Sequence, residues 1–322
     1  MDRINLKHTS LEVSRVCFGN MTFGGQTDEA SARRMIDLCA DAGVNFLDTA
    51  NIYNLGAAEE MLGRLLEGRR QQFILASKVR NKMGEGPDMS GLSRGAILRA
   101  IDDSLRRLKT DYVDLYYLHL PDYTVPIEES LEAMNDVVKQ GKVRYLASSN
   151  YSGWQTVELL WISERKGYQA PYVAQPMYNL IARGIEQEYL PMSKRFGISN
   201  VVYNPLAGGL LTGKQRRDGP LPGTRFDNNR MYLDRYWHPA DFDAVDQLQK
   251  IAGAAGRSLV SMALNWIYHH TPVECIILGA SRVEHLEQNL KALTEGPLDP
   301  ETLQGCDKVW NVLRGSTPKY NR

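Results

Sequence analysis

The chain has 322 residues, 38 of them basic and 38 acidic, so its formal charge at neutral pH is zero. That balance offers no general attraction for nucleic acid or an anionic membrane, and any phosphate recognition has to be local. The start, MDRINLKHTSLEVSR, lacks an apolar run long enough for a secretory leader, and no stretch approaches the roughly 20 apolar residues that span a bilayer, so a cytoplasmic protein is expected.

INLKHTSLEVS opens the chain as a candidate β-hairpin. A first strand near Val16 to Phe18 leads through a glycine-containing loop to a helix from about Glu29 to Ala42, which Gly43 ends. VNFLD is the second strand, AEEMLGRLLEG the second helix, FILASK the third strand, and RGAILRAIDDSLRRLK an amphipathic third helix with Ser93 as its N-cap. VDLYYLH is the fourth strand, IEESLEAMNDVVKQ a helix starting after Pro126, VRYLAS the fifth strand, and a helix follows from about Trp154 to Arg165. YVAQ and ISNVVY supply the sixth and seventh strands around a helix beginning near Ile185, and ECIILGA is the eighth, followed by VEHLEQNLKAL as a helix.

Eight strands with intervening helices suggest closure into a (β/α)8 TIM barrel spanning 1–322 as one domain, because right-handed crossovers set successive strands side by side until the sheet meets itself. An open doubly wound sheet is the alternative, but GNMTFGG has its glycines at the wrong spacing for the phosphate-binding turn of that fold. The stretch from Thr212 to Asp241 is too long for an ordinary connection, and its aromatics Tyr232, Tyr236 and Trp237 argue for order. Helices from about Phe242 to Ala255 and Leu259 to His269, with the tail around Leu303 to Leu313, read as additions outside the barrel. Cys17, Cys39, Cys275 and Cys306 form neither a CxxC pair nor a zinc-ligand spacing, so buried free thiols and no metal site are expected.

Asp48, Lys78 and His119 each stand at the C-terminal end of a strand, and Tyr53 follows Asp48 in a short loop. A barrel of this kind gathers such positions on one face. An acid, a phenol, an amine and an imidazole together can hand a proton to a carbonyl oxygen. A free tyrosine has a pKa of about 10, and a neighbouring Lys78 ammonium is expected to lower it. Lys78, half-buried, would in turn need Asp48 to keep its own proton.

The quartet, in the frames FLDTANIYNLGAAEEMLG, SKV and DLYYLHLPD, resembles that of the aldo-keto reductases, along nearly the whole chain. The resemblance implies hydride transfer from NADPH to an aldehyde or ketone, with Tyr53 as general acid, Lys78 and Asp48 tuning it and His119 orienting the carbonyl. It further implies that Ser149, Asn150 and Gln175 hold the nicotinamide carboxamide, beside Asp48, and that Tyr203 stacks on the ring. Asn204, Pro205, Leu206, Gly208 and Lys214 would lie along the pyrophosphate, with Arg225 in reach of the same phosphates. Gly279, Ser281, Arg282, His285, Gln288 and Asn289 would take the adenosine end, where Arg282 supplies a cation for a 2'-phosphate at a helix mouth. Members often carry Arg or Gln where His285 stands, so NAD is admissible beside NADP. The first loop, GNMTFGGQTDE, resembles the potassium-channel β-subunit branch more than the shorter-loop aldose-reductase group and would set Asn20 and Met21 against the cofactor.

That branch supplies a second reading, a cofactor-binding sensor with little turnover; the presence of His119 favours catalysis. A third, an unrelated barrel enzyme forming a Schiff base on Lys78, would need none of the cofactor set. The expected partner is a small carbonyl compound. Its identity lies in the loops RNKMGEGPDMSGLS and LPDYTVP and the segment from Tyr232 to His238, and the oligomeric state is open.

Overall fold

A computed structural model describes residues 1–316. An antiparallel hairpin, β1 (Arg3–Asn5) with β2 (Glu12–Ser14), precedes eight parallel strands that close on themselves. These are β3 (Val16–Gly19), β4 (Phe46–Asp48), β5 (Ile74–Val79), β6 (Val113–Leu118), β7 (Val143–Ser149), β8 (Val173–Gln175), β9 (Ser199–Val202) and β10 (Cys275–Gly279), with β10 pairing back on β3. The expected (β/α)8 barrel is therefore the fold, and the open sheet is excluded by that closing pair.

The outer ring contains α1 (Glu29–Asp41), α2 (Ala57–Leu65), α3 (Arg94–Leu108), α4 (Ile127–Lys139), α5 (Gly153–Lys166) and α6 (Tyr189–Phe196). It is completed by α7 (Arg230–Tyr236), α8 (Pro239–Ala254), α9 (Leu259–His270), α10 (Val283–Leu293) and α11 (Pro300–Leu313). Local chemistry sets several ends. The Asp28 carboxylate accepts the Ser31 N–H at 2.9 Å to start α1, and Ser93 accepts from Ala96 at 3.2 Å to start α3. The sixth helix begins at Tyr189, later than expected, because 184–186 make a separate 3-10 turn. The long 212–241 segment is ordered around α7, whose Tyr232 and Tyr236 are buried.

The hairpin covers the N-terminal end of the barrel. The Lys7 N–H donates to Ser199 Oγ at 2.8 Å, and the Ser10 N–H to Tyr145 OH at 3.0 Å, both near strand starts. Its Leu6, Leu11 and Val13 join a central cluster with Cys17, Phe46, Ala76, Leu115, Tyr117, Ala147, Val173, Val201, Cys275 and Ile277. Their neighbours Val16, Phe18, Leu47, Leu75, Tyr116, Leu118, Leu146, Val202, Ile276 and Leu278 belong instead to the layer between strands and helices. The alternation is the period-2 rule of a strand.

The same parity positions the site. Two residues beyond Cys17, Phe46, Ala76, Tyr117, Ala147, Val173, Val201 and Ile277 stand Gly19, Asp48, Lys78, His119, Ser149, Gln175, Tyr203 and Gly279. The layer at the C-terminal mouth is thus six polar side chains and two glycines, Gly19 and Gly279, which are partners in register.

Helix α2 makes a backbone approach that fixes α2 against α3. A Cβ on Gly63 would lie 2.4 Å from the Arg107 carbonyl oxygen. Glycine to alanine within a helix ordinarily stabilises by about 0.5–1 kcal/mol. At Gly63 the sign is reversed: Gly63→Ala is expected to cost about 1–3 kcal/mol, read as a lower denaturant midpoint.

Candidate active site

Lys78 is wholly buried and its ammonium is held by three groups. It forms an ion pair with Asp48, which is 2% exposed, donates to the Thr49 carbonyl at 2.8 Å, and reaches the Tyr53 hydroxyl at 3.2 Å. The other Asp48 oxygen accepts from Gln175 Nε2 at 2.9 Å. The ammonium also lies 4.9 Å from the Tyr53 ring centre and 5.9 Å from that of Tyr117. An aspartate one strand away and a lysine at the middle of the mouth thus satisfy each other, as a buried charge requires.

Burial disfavours the Lys78 ammonium, but Asp48 and Tyr53 more than offset it and hold the pKa above the ordinary lysine value. Tyr53 keeps the expected influence of Lys78 but departs from the expectation in its net direction. Burial raises its pKa, Lys78 opposes that, Asp48 adds to it, and the net direction is upward. The phenol therefore stays protonated through neutral pH. Tyr53 sits where the chain makes a tight turn, with Asn54 and Leu55 both left-handed at φ of 49° and 51°. The Asn54 amide secures this turn by donating to the Met21 and Phe23 carbonyls at 3.0 and 2.7 Å.

His119 completes the quartet, its ring edge-on to Tyr53 with centroids 6.1 Å apart. Burial, Lys78 and Arg80 lower its pKa to about 3, so the imidazole is neutral at physiological pH. Two consequences are measurable. Any reductive activity of this site is expected to show no histidine ionisation between about pH 5 and 8, the window of an ordinary histidine. The unfolded chain takes up a proton near pH 6.5 that the folded site refuses until about 3. Stability from this group is therefore complete above about 6.5 and lost as pH falls toward about 3. Denaturation midpoints across that window should fall less steeply in His119→Gln than in the parent.

The expected cofactor residues divide in the same way. Ser149, Asn150 and Gln175 are brought together: Ser149 Oγ donates to the Gln175 carbonyl at 2.9 Å, and Asn150 Nδ2 to Ser149 Oγ at 3.0 Å. Asn150, left-handed at φ 61°, also donates to the His119 carbonyl at 2.8 Å and accepts from the Tyr203 hydroxyl at 2.7 Å. One side chain thus ties the ends of β6, β7 and β9. Asn20 is buried with both amide atoms unpartnered, and Met21 is half-buried beside it.

Asn204 and Pro205 are buried, Leu206 and Gly208 half-buried, and Gly208 is left-handed at φ 68°. Arg225 lies over the Tyr232 ring at 5.4 Å and close to Gly279. Burial first, then Lys214 and Arg282, depress the pKa of His285, so these cations share one neighbourhood at the start of α10. None of Lys214, Arg225 and Arg282 makes an ion pair with the described residues. Ser281 is half-buried; Gln288 is exposed and its neighbour Asn289 buried, as successive helical residues diverge by about 100°.

A family model described as the aldo/keto reductase family matches residues 15–311. The chain belongs to the aldo/keto reductase family. It is 36% identical over 319 residues to rat aflatoxin B1 aldehyde reductase member 2, covering 94% of this chain and 86% of the relative. It is 37% identical over 327 residues to a probable voltage-gated potassium channel subunit beta of rice, covering 98% and 97%. To the uncharacterized oxidoreductase YrpG of Bacillus subtilis (strain 168) it is 36% identical over 330 residues, covering 99% of each. The family and its named reductases make the chain an oxidoreductase.

Sequence reasoning passed over Asn81, whose amide nitrogen is 3.1 Å from His119 Nδ1, and Arg80, whose cation helps keep the same ring neutral. Both stood in a loop read only for substrate choice. Among the described residues no group of three or more His, Cys, Asp or Glu could hold a metal, and no helix is long and apolar enough to cross a membrane. All four cysteines are buried and free.

Proposed function

We propose that the chain is an NADPH-dependent reductase that converts an aldehyde or ketone to an alcohol, with Tyr53 as general acid. The observation that carries this reading is the Tyr53 hydroxyl 3.2 Å from a buried ammonium that is itself neutralised by Asp48. Bound NADPH would supply a hydride to the carbonyl carbon. As the C=O π pair moves onto oxygen, that oxygen takes the Tyr53 proton. The phenolate left behind faces Lys78. Lys78 thus serves less by making the resting phenol acidic than by stabilising the negative charge when it forms, which is electrostatic help confined to the transition state and after. The neutral His119 imidazole donates a hydrogen bond to the same oxygen and orients it.

The residues present fit a nicotinamide dinucleotide. Asn20 is the buried side chain at the mouth with both amide atoms unpartnered, so it can both donate to and accept from a bound group. At the barrel mouth, where Gly19 and Gly279 pair and present no side chain, Ser149, Asn150 and Gln175 would hold the carboxamide and Tyr203 would face the ring. Asn204, Pro205, Leu206 and Gly208 would follow the pyrophosphate with Lys214 and Arg225. Ser281, Arg282 and His285 at the start of α10 favour a 2'-phosphate, hence NADP over NAD, and Gln288 and Asn289 would meet the adenine.

Loss of NADPH absorbance with a panel of aldehydes and ketones tests the reading. Turnover supports it. Saturable NADPH binding without turnover on any carbonyl would support the second reading instead, a cofactor sensor, which the likeness to the rice channel subunit keeps in view.

A further inference from the structure

Arg80, the first residue after β5, adopts φ 146°, a backbone state that side-chain-bearing residues rarely take. Such a turn persists where its surroundings fix it, and here the Gly91 N–H donates to the Arg80 carbonyl at 2.7 Å. The next residue is Asn81, and the turn delivers its amide nitrogen to His119 Nδ1 at 3.1 Å. The rest of His119 is pinned as well. Its N–H donates to the Val79 carbonyl at 3.0 Å, and its carbonyl accepts from Asn150 Nδ2 at 2.8 Å.

We propose that Asn81 is a positioning residue that fixes His119 as the Nε2–H tautomer, so that the ring presents an N–H and not a lone pair to the substrate carbonyl oxygen. The inference rests on the reductase reading above and deepens it. An amide N–H can only donate, so Nδ1 facing it must be the unprotonated, accepting nitrogen, and the single proton of a neutral imidazole then resides on Nε2. A carbonyl oxygen is an acceptor. The opposite tautomer would set two lone pairs against each other and lose the contact that orients the substrate.

The groups facing His119 divide the work. The Lys78 and Arg80 cations disfavour the imidazolium and so set the charge, while no carboxylate among the described residues is a source of its shift. Tyr53 meets the ring edge-on. Asn81, with its amide nitrogen turned to Nδ1, then favours the proton on Nε2. An aspartate in its place would accept from Nδ1–H and favour both the wrong tautomer and the charged ring.

Nitrogen-15 NMR of histidine-labelled protein, with His119→Gln for assignment, reads the tautomer without any turnover. The parent is expected to carry its proton on Nε2 through neutral pH. Asn81→Asp is expected to move it to Nδ1, to bring a new ionisation into the kcat profile between about pH 5 and 8, and to lower kcat by about 10- to 100-fold. The KM for NADPH should be unchanged, which a general loosening of the loop would not give. An Nδ1–H resonance in the parent overturns the proposal, as does an Asn81→Asp variant with the parent's tautomer and pH profile. A parent with Nε2–H that turns over no carbonyl leaves the tautomer assignment standing and removes the reductase reading.

Discussion

Tyr53→Phe is expected to lower kcat for aldehyde reduction by about 10²- to 10⁴-fold, the usual contribution of a positioned general acid. The substitution deletes one oxygen. Phenylalanine keeps the ring that lies edge-on to His119 and 4.9 Å from the Lys78 ammonium, so the shape of the mouth is retained. What disappears is the hydroxyl that Lys78 reaches at 3.2 Å. NADPH affinity, read by fluorescence titration, should therefore be nearly unchanged. If affinity and kcat fell together by the same factor, Tyr53 would be a cofactor-holding residue and the proton would have to come from another group.

The second large effect concerns the buried ion pair. Asp48→Leu strands the Lys78 ammonium in a fully buried position and is expected to cost about 3–5 kcal/mol of stability. Adding Lys78→Met should return most of that loss, because two apolar side chains in place of a buried pair are often neutral or better. The shortfall should be about 1–3 kcal/mol for the Gln175 amide and Thr49 carbonyl, which lose their partners. Activity should be lost in both variants. Urea unfolding of the single and double variants separates the two roles. A double variant as unstable as Asp48→Leu would mean that the pair is kept for packing and not for chemistry.

The barrel was legible because its strands are short apolar runs that end in polar residues, and the parity of a strand does the rest. Once Phe46, Ala76 and Tyr117 face inward, Asp48, Lys78 and His119 must follow them into the mouth. The closure itself was legible from the count of strands. The helix inside the 212–241 segment was not, since glycine and proline on its N-terminal side mask seven helical residues held by burial of Tyr232 and Tyr236.

Lys78 lowers the Tyr53 pKa as expected, but the net direction of the shift is upward. From sequence, Lys78 is the visible influence, while the desolvation that outweighs it depends on how many side chains close over the phenol. Asn81 was invisible for a related reason. Its contact with His119 depends on a positive φ at Arg80, and nothing in the letters RN announces that turn. Sequence shows what each strand end carries; the charge states and tautomers that make those groups useful arise only from packing.

The measurement that bears most directly on the whole account is a crystal structure with NADP and a carbonyl inhibitor bound. The expected result is a nicotinamide ring over Tyr203, its carboxamide on Ser149, Asn150 and Gln175, and the inhibitor oxygen within hydrogen-bond reach of both Tyr53 OH and His119 Nε2. A dinucleotide lodged elsewhere, or an inhibitor oxygen remote from Tyr53, would contradict it.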